Sequence, residues 1–242
     1  MYLQRSRAVK RAGDNMAAMV NTQNDSRRLK DLLYEQVARI GKAACSPKRL
    51  ELIELLCQGE KPVETLAREA GISMKLASAH LRELRAAHLV ETERQGKNVI
   101  YRIANRAVCD FWVAIRSLAE DRLVELRMAL AQIESNPKEL APHDRETLVR
   151  LAEKGDVIVI DVRPPAEYEA AHLPFARSVP LDELKSRLAE FPAGKTVVAY
   201  CRGPYCLMAR DAVELLRKKG FDAMRLPEGV AEWGIAPVRQ DG

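Results

Sequence analysis

Residues 62–87 read PVETLAREAGISMKLASAHLRELRAA, and this stretch decides the fold of the first half. Val63, Leu66 and Ala67 recur at helical spacing, so residues 62–70 form a short helix. Gly71, Ile72 and Ser73 make a tight turn, with Ser73 placed to cap the next helix. Residues 74–87 form that second helix, with Leu76, Leu81 and Leu84 turned toward a core. A helix, a three-residue turn opening on glycine and a second capped helix make a helix-turn-helix.

Outward from it, residues 89–93 and 99–103 are β-leaning runs around Arg94, Gln95, Gly96, Lys97 and Asn98, which predicts a hairpin with a basic tip, a wing. Upstream, Leu29, Leu32, Leu33, Val37 and Ile40 mark one helix. Ser46 and Pro47 open another, whose buried face is Leu50, Ile53, Leu56 and Cys57 and which ends at Gly59. Downstream, residues 106–133 read as one long helix with Val108, Phe111, Ile115, Leu118, Leu126, Leu130 and Ile133 in a stripe. That stripe has few local partners, so a second copy of the chain is expected to cover it.

The second half alternates strand and helix: strands at 157–162, 196–200 and 223–226, helices at 181–191 and 207–219. The fold class is therefore a two-domain α+β chain. A mostly helical winged helix-turn-helix comes first, and a small α/β domain with a parallel sheet comes second. The boundaries are a disordered basic arm at 1–26 (Arg5, Arg7, Lys10, Arg11), the winged helix and dimerisation domain at 27–135, a linker at 136–144 around Pro137 and Pro142, and the α/β domain at 145–242. Met16 and Met19 are alternative starts to Met1.

A chain of 242 residues, 30% charged and 47% hydrophobic, is an ordinary globular composition of two-domain size. No stretch reaches the roughly 18 apolar residues of a membrane span. The N-terminus has no apolar core of a secretory signal, so no membrane partner and a cytoplasmic location are expected. Five cysteines without dense spacing point to reduced thiols. The net charge of +5 is uneven: residues 1–136 hold 23 Lys and Arg against 17 Asp and Glu, whereas the remainder holds 16 against 17. A basic front half suits a polyanion.

Double-stranded DNA is the expected polyanion. The first turns of a recognition helix reach the bases, and here they present Ser73, Lys75, Leu76, Ser78, Ala79 and Arg82. Arg94, Lys97 and Asn98 on the wing suit the neighbouring backbone or minor groove. Residues 29–133 resemble the ArsR/SmtB winged helix-turn-helix repressors, through SPKRLELIELL, VETLAREAGIS and AHLRELRAAHLVETERQGKNVIYRIA. The resemblance implies that residues 74–87 are the recognition helix, that the terminal helices form a dimer interface, and that the chain represses transcription. The family's Cys-x-Cys metal motif is missing, and residues 59–67 read GEKPVETLA instead. No resident metal or cofactor is expected, because two thiols alone make a poor zinc site. Cys57 reads as a small hydrophobe of the core. Cys45 and Cys109, near helix starts, are candidate sensor thiols for As(III) or a sulfur oxidant, or plain structural residues. His80 and His88 read as surface or packing residues.

The second chemical feature is VVAYCRGPYC, residues 197–206, which runs from a buried strand through a tight loop into a helix. Cys201 at the strand end is poised as a nucleophile. Amides of Arg202, Gly203, Tyr205 and Cys206, the helix N-terminus and the Arg202 charge are expected to lower its pKa. Pro204 stiffens the loop. This half resembles the rhodanese domain, through VIDVRPPAEYEAAHLPFARSVPLDEL, VVAYCRGPYC and LPEGVAEW. The resemblance implies that Cys201 accepts a sulfane sulfur as a persulfide. It makes Asp161, Arg163, Glu167 and His172 scaffold more than chemistry. Phe175 and Pro227-Glu228-Gly229 depart from the family's glycines and are expected to narrow the pocket. Phosphatases and arsenate reductases of this fold carry Cys-x5-Arg, but Leu207 stands six residues after Cys201. Cys206 either resolves a Cys201 persulfide or caps the loop.

The expected function is a cytoplasmic, homodimeric DNA-binding regulator whose rhodanese domain senses or transfers sulfane sulfur through Cys201. The partners are operator DNA and a sulfane-sulfur donor or other thiophilic inducer. Two alternatives stand beside it. One is a repressor sensing a thiophilic ion at Cys45 and Cys109. The other is a sulfurtransferase whose first domain serves dimerisation.

Overall fold

The computed structural model describes residues 24–133, 140–141, 144–192, 194–235 and 237. The arm's basic residues, the alternative start sites and the linker residues Pro137 and Pro142 lie outside them. The chain forms two compact units, Met1–Ser46 and Pro47–Gly242. In the first, residues 24–44 are helical (α1), so residues 24–26 of the expected arm are helix. Its Leu29, Leu32, Leu33, Tyr34 and Val37 are exposed.

The second unit opens with the winged helix. Its helices are α2 (Pro47–Leu56), α3 (Val63–Glu69), α4 (Met74–Ala86) and α5 (Arg106–Arg122). Its strands are β1 (Lys61–Pro62), β2 (Val90–Gln95) and β3 (Asn98–Ile103), paired antiparallel in the order β1-β3-β2. Leu52, Ile53, Leu56, Leu66, Leu81 and Leu84 are fully buried, and each contributes about 1.5–3 kcal/mol of burial. Ser73 caps α4 as expected, its Oγ accepting the Leu76 N–H at 3.3 Å. The wing strands run further than expected and leave only Gly96 and Lys97 as the turn, because Gln95 pairs with Asn98.

The expected long helix is two. Leu123 is extended (φ −105°, ψ 111°) and separates α5 from α6 (Val124–Ile133). The Arg127 guanidinium takes up carbonyls near the break, donating to Glu120 O at 3.1 Å and Asp121 O at 2.7 Å. The buried face of α5 also differs from the expected stripe. It is Val108, Cys109, Trp112 and Arg116, whereas Leu118 on the other side is exposed.

The α/β domain is a parallel sheet in the order β5-β4-β6-β7. Its strands are β4 (Val157–Asp161), β5 (Arg177–Ser178), β6 (Thr196–Tyr200) and β7 (Ala223–Arg225). Its helices are α7 (Arg145–Glu153), α8 (Pro165–Ala170) and α9 (Met208–Lys218). Leu140, expected in the linker, bridges in parallel to Arg225 at the sheet edge. Residues 181–191, expected as a helix, are turns and then a 3-10 helix at Leu188–Glu190. There the Ser186 N–H and Oγ both donate to the Glu183 carbonyl, so a tighter turn and a side chain take an acceptor that a regular helix needs. Side chains alternate across the sheet. Ile160, Ala199 and Cys201 join one layer, Val159, Val198 and Tyr200 the other. Phe175 packs edge to face on Trp233 in that other layer.

One ion pair is wholly buried. Arg163 binds Asp161 through Nε at 2.9 Å and Nη2 at 2.5 Å, and donates from Nη2 to Ala171 O and from Nη1 to Gln58 Oε1. Tyr200 Oη donates to Asp161 Oδ2 at 2.6 Å and accepts the Leu173 N–H. Gln58 belongs to the winged helix, so this core pair also ties the two domains. Arg163→Ala leaves the Asp161 carboxylate buried and alone, and is expected to cost about 3–5 kcal/mol of unfolding free energy. Urea denaturation reads it, and a loss below about 1 kcal/mol would mean that the pair is not holding the core.

Candidate sulfur site and DNA-facing surface

The loop after β6 is shaped by backbone needs. Gly203 has φ +141°, and a side chain there would meet Glu232 at 3.3 Å. A side chain at Gly229, in the closing segment, would come within 2.6 Å of the Arg202 carbonyl oxygen. The loop and the closing segment thus touch through glycine.

Cys201 is 2% exposed, and its Sγ–H faces the Cys206 carbonyl at 3.5 Å. The two cysteines divide the charge opposite to expectation. Burial, then the hydrogen bond to Cys206 and that residue's own negative charge, push the Cys201 thiol up, although the amides of Gly203 and Ala209 favour its thiolate. Cys206 is lowered to about 7, first by the Cys201 S–H it accepts and then by the amides of Arg202 and Met208 and the Arg202 charge, against burial. Both shifts run the same way: the proton is favoured on Cys201 and the negative charge on Cys206. Of the amides expected to gather on Cys201, Gly203 acts there and Arg202 acts on Cys206 instead.

Arg202 turns away from the sulfur. It donates to Glu167 from Nε at 3.0 Å and from Nη2 at 2.5 Å, and its Nη2 reaches Glu69 of α3 at 2.8 Å. Lys61 of β1 reaches the same Glu167 at 2.7 Å. Burial alone would raise the Glu167 carboxyl, but Arg202 and Lys61 outweigh it and hold it below its ordinary range. Gln58 lies within 3.4 Å of the Arg202 carbonyl. Further along, Arg116 of α5 is buried, pairs with Glu232 at 2.7 Å and Glu120 at 3.2 Å, and lies over the Tyr205 ring. Trp112 meets Tyr205 edge to face. The loop 201–206 is thus seated on α3, α5 and the turn that follows α2 in the winged helix.

Sequence reasoning missed Glu54, Gln58, Lys61, Glu69, Trp112, Arg116 and Glu232. A usable signal was Arg116 at the fourth and eighth places from Trp112 and Val108, a charge on an otherwise apolar helix face. Glu167, expected as scaffold, is the shared carboxylate. His172 is scaffold: it stacks on Tyr168 at 3.9 Å, and its Nδ1 lies 2.8 Å from the Tyr168 carbonyl.

Cys57, directly after α2, and Cys109 of α5 are joined as a disulfide, their Cα atoms 5.7 Å apart. The expectation of reduced thiols throughout, and of Cys57 as mere core, is corrected here. Cys109 is bonded to Cys57 and not poised with Cys45, whose thiol is free and exposed. Among the described residues no cluster of three or more His, Cys, Asp or Glu could hold a metal ion.

Lys75 and Arg82 of α4 are exposed, as is Leu76, expected to face the core, and Ser78, Ala79 and His80 are half-buried. Arg94, Lys97 and Asn98 on the wing are exposed. The Ser73 hydroxyl is engaged in its cap. His88, at φ 57°, ends α4 in the left-handed region. Among the described residues no helix is long and apolar enough to cross a membrane.

Residues 46–92 match the arsR family of bacterial regulatory proteins, and residues 144–236 match the rhodanese-like domain. The chain is 40% identical over 212 residues to the HTH-type transcriptional regulator Rv0324 of Mycobacterium tuberculosis, spanning 88% of this chain and 93% of that one. A sulfurtransferase of Allochromatium vinosum is 33% identical over 104 residues, 41% of this chain and 95% of that one. Among solved structures, the homodimeric winged helix-turn-helix domain of Mb0332 from Mycobacterium bovis is 38% identical. It covers 40% of this chain and 89% of its own, with a TM-score of 0.38.

Alkylation of Cys206 by iodoacetamide is expected to titrate with a midpoint of about 7. Cys201→Ala removes the largest cause of that lowering, so the midpoint should rise; an unchanged midpoint would reject the assignment of the thiolate.

Proposed function

This chain belongs to the arsR family of bacterial regulatory proteins and is a transcriptional regulator carrying a C-terminal rhodanese-like domain. From that premise we propose that it reports sulfane sulfur to DNA, with Cys201 as the sulfur acceptor and the loop 201–206 as the switch. The observation that carries this reading is the seat of that loop. Arg202, Tyr205 and the Arg202 carbonyl all bear on α3, α5 and the turn that follows α2. A change at the sulfur therefore meets the DNA-binding domain directly and needs no linker to carry it.

The chemistry balances with a hydropersulfide, R–S–SH, as donor. Cys201 passes its proton to the Cys206 thiolate and attacks the terminal sulfur of the donor. The donor S–S bond breaks and R–S⁻ leaves, then takes the proton from Cys206. The products are a Cys201 persulfide, R–SH and a restored Cys206 thiolate. Extra volume on a sulfur that is 2% exposed and packed into the core layer of its own domain strains the loop around it, so the loop has to shift. The coupling free energy then runs through Arg202 and its bonds to Glu69 and Glu167.

DNA is read by Lys75, Leu76, Ser78, Ala79 and Arg82 of α4, with Ser73 as their cap, and by Arg94, Lys97 and Asn98 of the wing. A second copy covers the exposed Leu118, Leu123, Val124 and Met128 of α5 and α6, and the exposed face of α1. Cys45 has no role in this reading.

Fluorescence anisotropy on DNA from upstream of its own gene tests it. Reduced protein is expected to bind, and polysulfide treatment to release it; Cys201→Ser should bind and stay bound. Equal binding by both forms would reject the sulfur signal. No binding at any salt, together with rapid turnover of thiosulfate, would favour a sulfurtransferase. Lys75→Ala, if it touches a phosphate, should weaken binding and reduce the salt slope by about 1.

A further inference from the structure

The loop 201–206 carries one cation, Arg202, and its guanidinium is engaged within the protein. Its Nε donates to Glu167 at 3.0 Å and its Nη2 to Glu69 of α3 at 2.8 Å. Lys61 lies beside it, 2.7 Å from Glu167 and 3.8 Å from Glu69. Each domain thus supplies one cation and one carboxylate, and the cluster is neutral. A second cluster lies against the loop at Gly203. A side chain at that position would meet Glu232 at 3.3 Å and Arg116 at 3.5 Å. There Arg116 faces two carboxylates, Glu232 at 2.7 Å and Glu120 at 3.2 Å. Arg210, on the first turn of α9, is paired with Asp211 at 2.9 Å.

A dianion that leaves water for such a loop needs a cation or backbone amides to receive it. The Arg202, Lys61 and Arg116 cations are held by Glu69, Glu167, Glu120 and Glu232, so among these described residues three positive charges face four negative ones. The loop amides are engaged as well. Those of Gly203 and Ala209 serve the Cys201 sulfur, and those of Arg202 and Met208 serve that of Cys206.

Resting on the sulfur reading above, we propose that Glu69, a residue of the DNA-binding domain, sets the donor class of the sulfur site: by engaging Arg202 it turns away the thiosulfate dianion and leaves the site to hydropersulfides that arrive without negative charge. Glu69 acts through Arg202 and is a positioning residue. Glu120 acts in the same sense through Arg116. The donor R–S–SH brings no charge that needs a partner, and its terminal sulfur meets Cys201 as described above. Thiosulfate would pass its outer sulfur to Cys201 with loss of sulfite, but both the incoming dianion and the departing one face the negative excess. The winged helix thus decides which sulfur compound its companion domain reports.

The test uses the full reduced chain and two donors, thiosulfate and the hydropersulfide of N-acetylcysteine methyl ester. Mass spectrometry follows the added sulfur on Cys201 as ionic strength rises. In wild type the thiosulfate rate is expected to rise with salt, because screening weakens repulsion, and the hydropersulfide rate to stay level. Glu69→Gln leaves Lys61 and Arg202 against Glu167 alone. It should raise the thiosulfate rate relative to the hydropersulfide rate about tenfold and flatten the salt dependence. Glu69→Asp should keep the wild-type ratio, which separates charge from packing. Glu120→Gln should shift the ratio in the same direction, and its side chain is 28% exposed, so it remains informative if Glu69→Gln does not fold. A wild-type thiosulfate rate that falls with salt overturns the inference, since a free cation would then be drawing the donor in, and it leaves the sulfur reading standing. An unchanged ratio in the folded glutamine variants overturns it equally. No added sulfur on Cys201 from either donor overturns the sulfur reading and this inference with it.

Discussion

A carboxylate buried in the α/β domain constrains everything around it. Glu167 on α8 is 1% exposed, and it is ionised because Arg202 of the sulfur loop and Lys61 of the winged helix both close on it. Burying either charge without its counterpart costs several kcal/mol, so the loop conformation and the docking of the two domains are one problem with one solution. Glu69 extends the same cluster into α3, the first helix of the helix-turn-helix. The active loop is consequently a structural element of the DNA-binding domain as much as of its own.

That arrangement explains where the negative charge lies. A helix N-terminus and loop amides favour a thiolate wherever they point, but Cys201 is too deeply covered to keep the charge alone. Cys206, with Arg202 near and a thiol donating to it, keeps it instead. In the proposed sulfur chemistry Cys201 is thus a nucleophile held in reserve, with Cys206 as its base.

The platform beneath the loop is stiffened from within. The Cys57–Cys109 bond ties the turn after α2 to α5. Gln58 comes directly after Cys57, and Trp112 stands one turn beyond Cys109. These are the residues that meet the Arg202 carbonyl and the Tyr205 ring. On the proposed reading, a displacement of the loop would bear on a braced helix pair, because packed elements shift between discrete arrangements and do not yield locally.

Much of this was legible along the chain. Helical spacing, the Ser73 cap and the Gly96 turn declare the winged helix within a few residues of each other, since caps and periodicity are local. The alternation of apolar strands and helices declares the parallel sheet, and the step from strand to glycine loop to helix declares the place of Cys201. Local signals misled where side chains compete for carbonyls, as at Ser186 and Arg127, which turned two expected helices into turns and a break. Tertiary structure alone decided the long-range matters: that Cys57 meets Cys109, that Arg116 is buried against Glu232, and that Gln58, Lys61 and Glu69 of one domain serve the loop of the other. Their residues lie 52 to 144 positions apart, and no periodicity spans such distances. Those meetings depend on desolvation and charge pairing, which exist only once the domains have closed on each other.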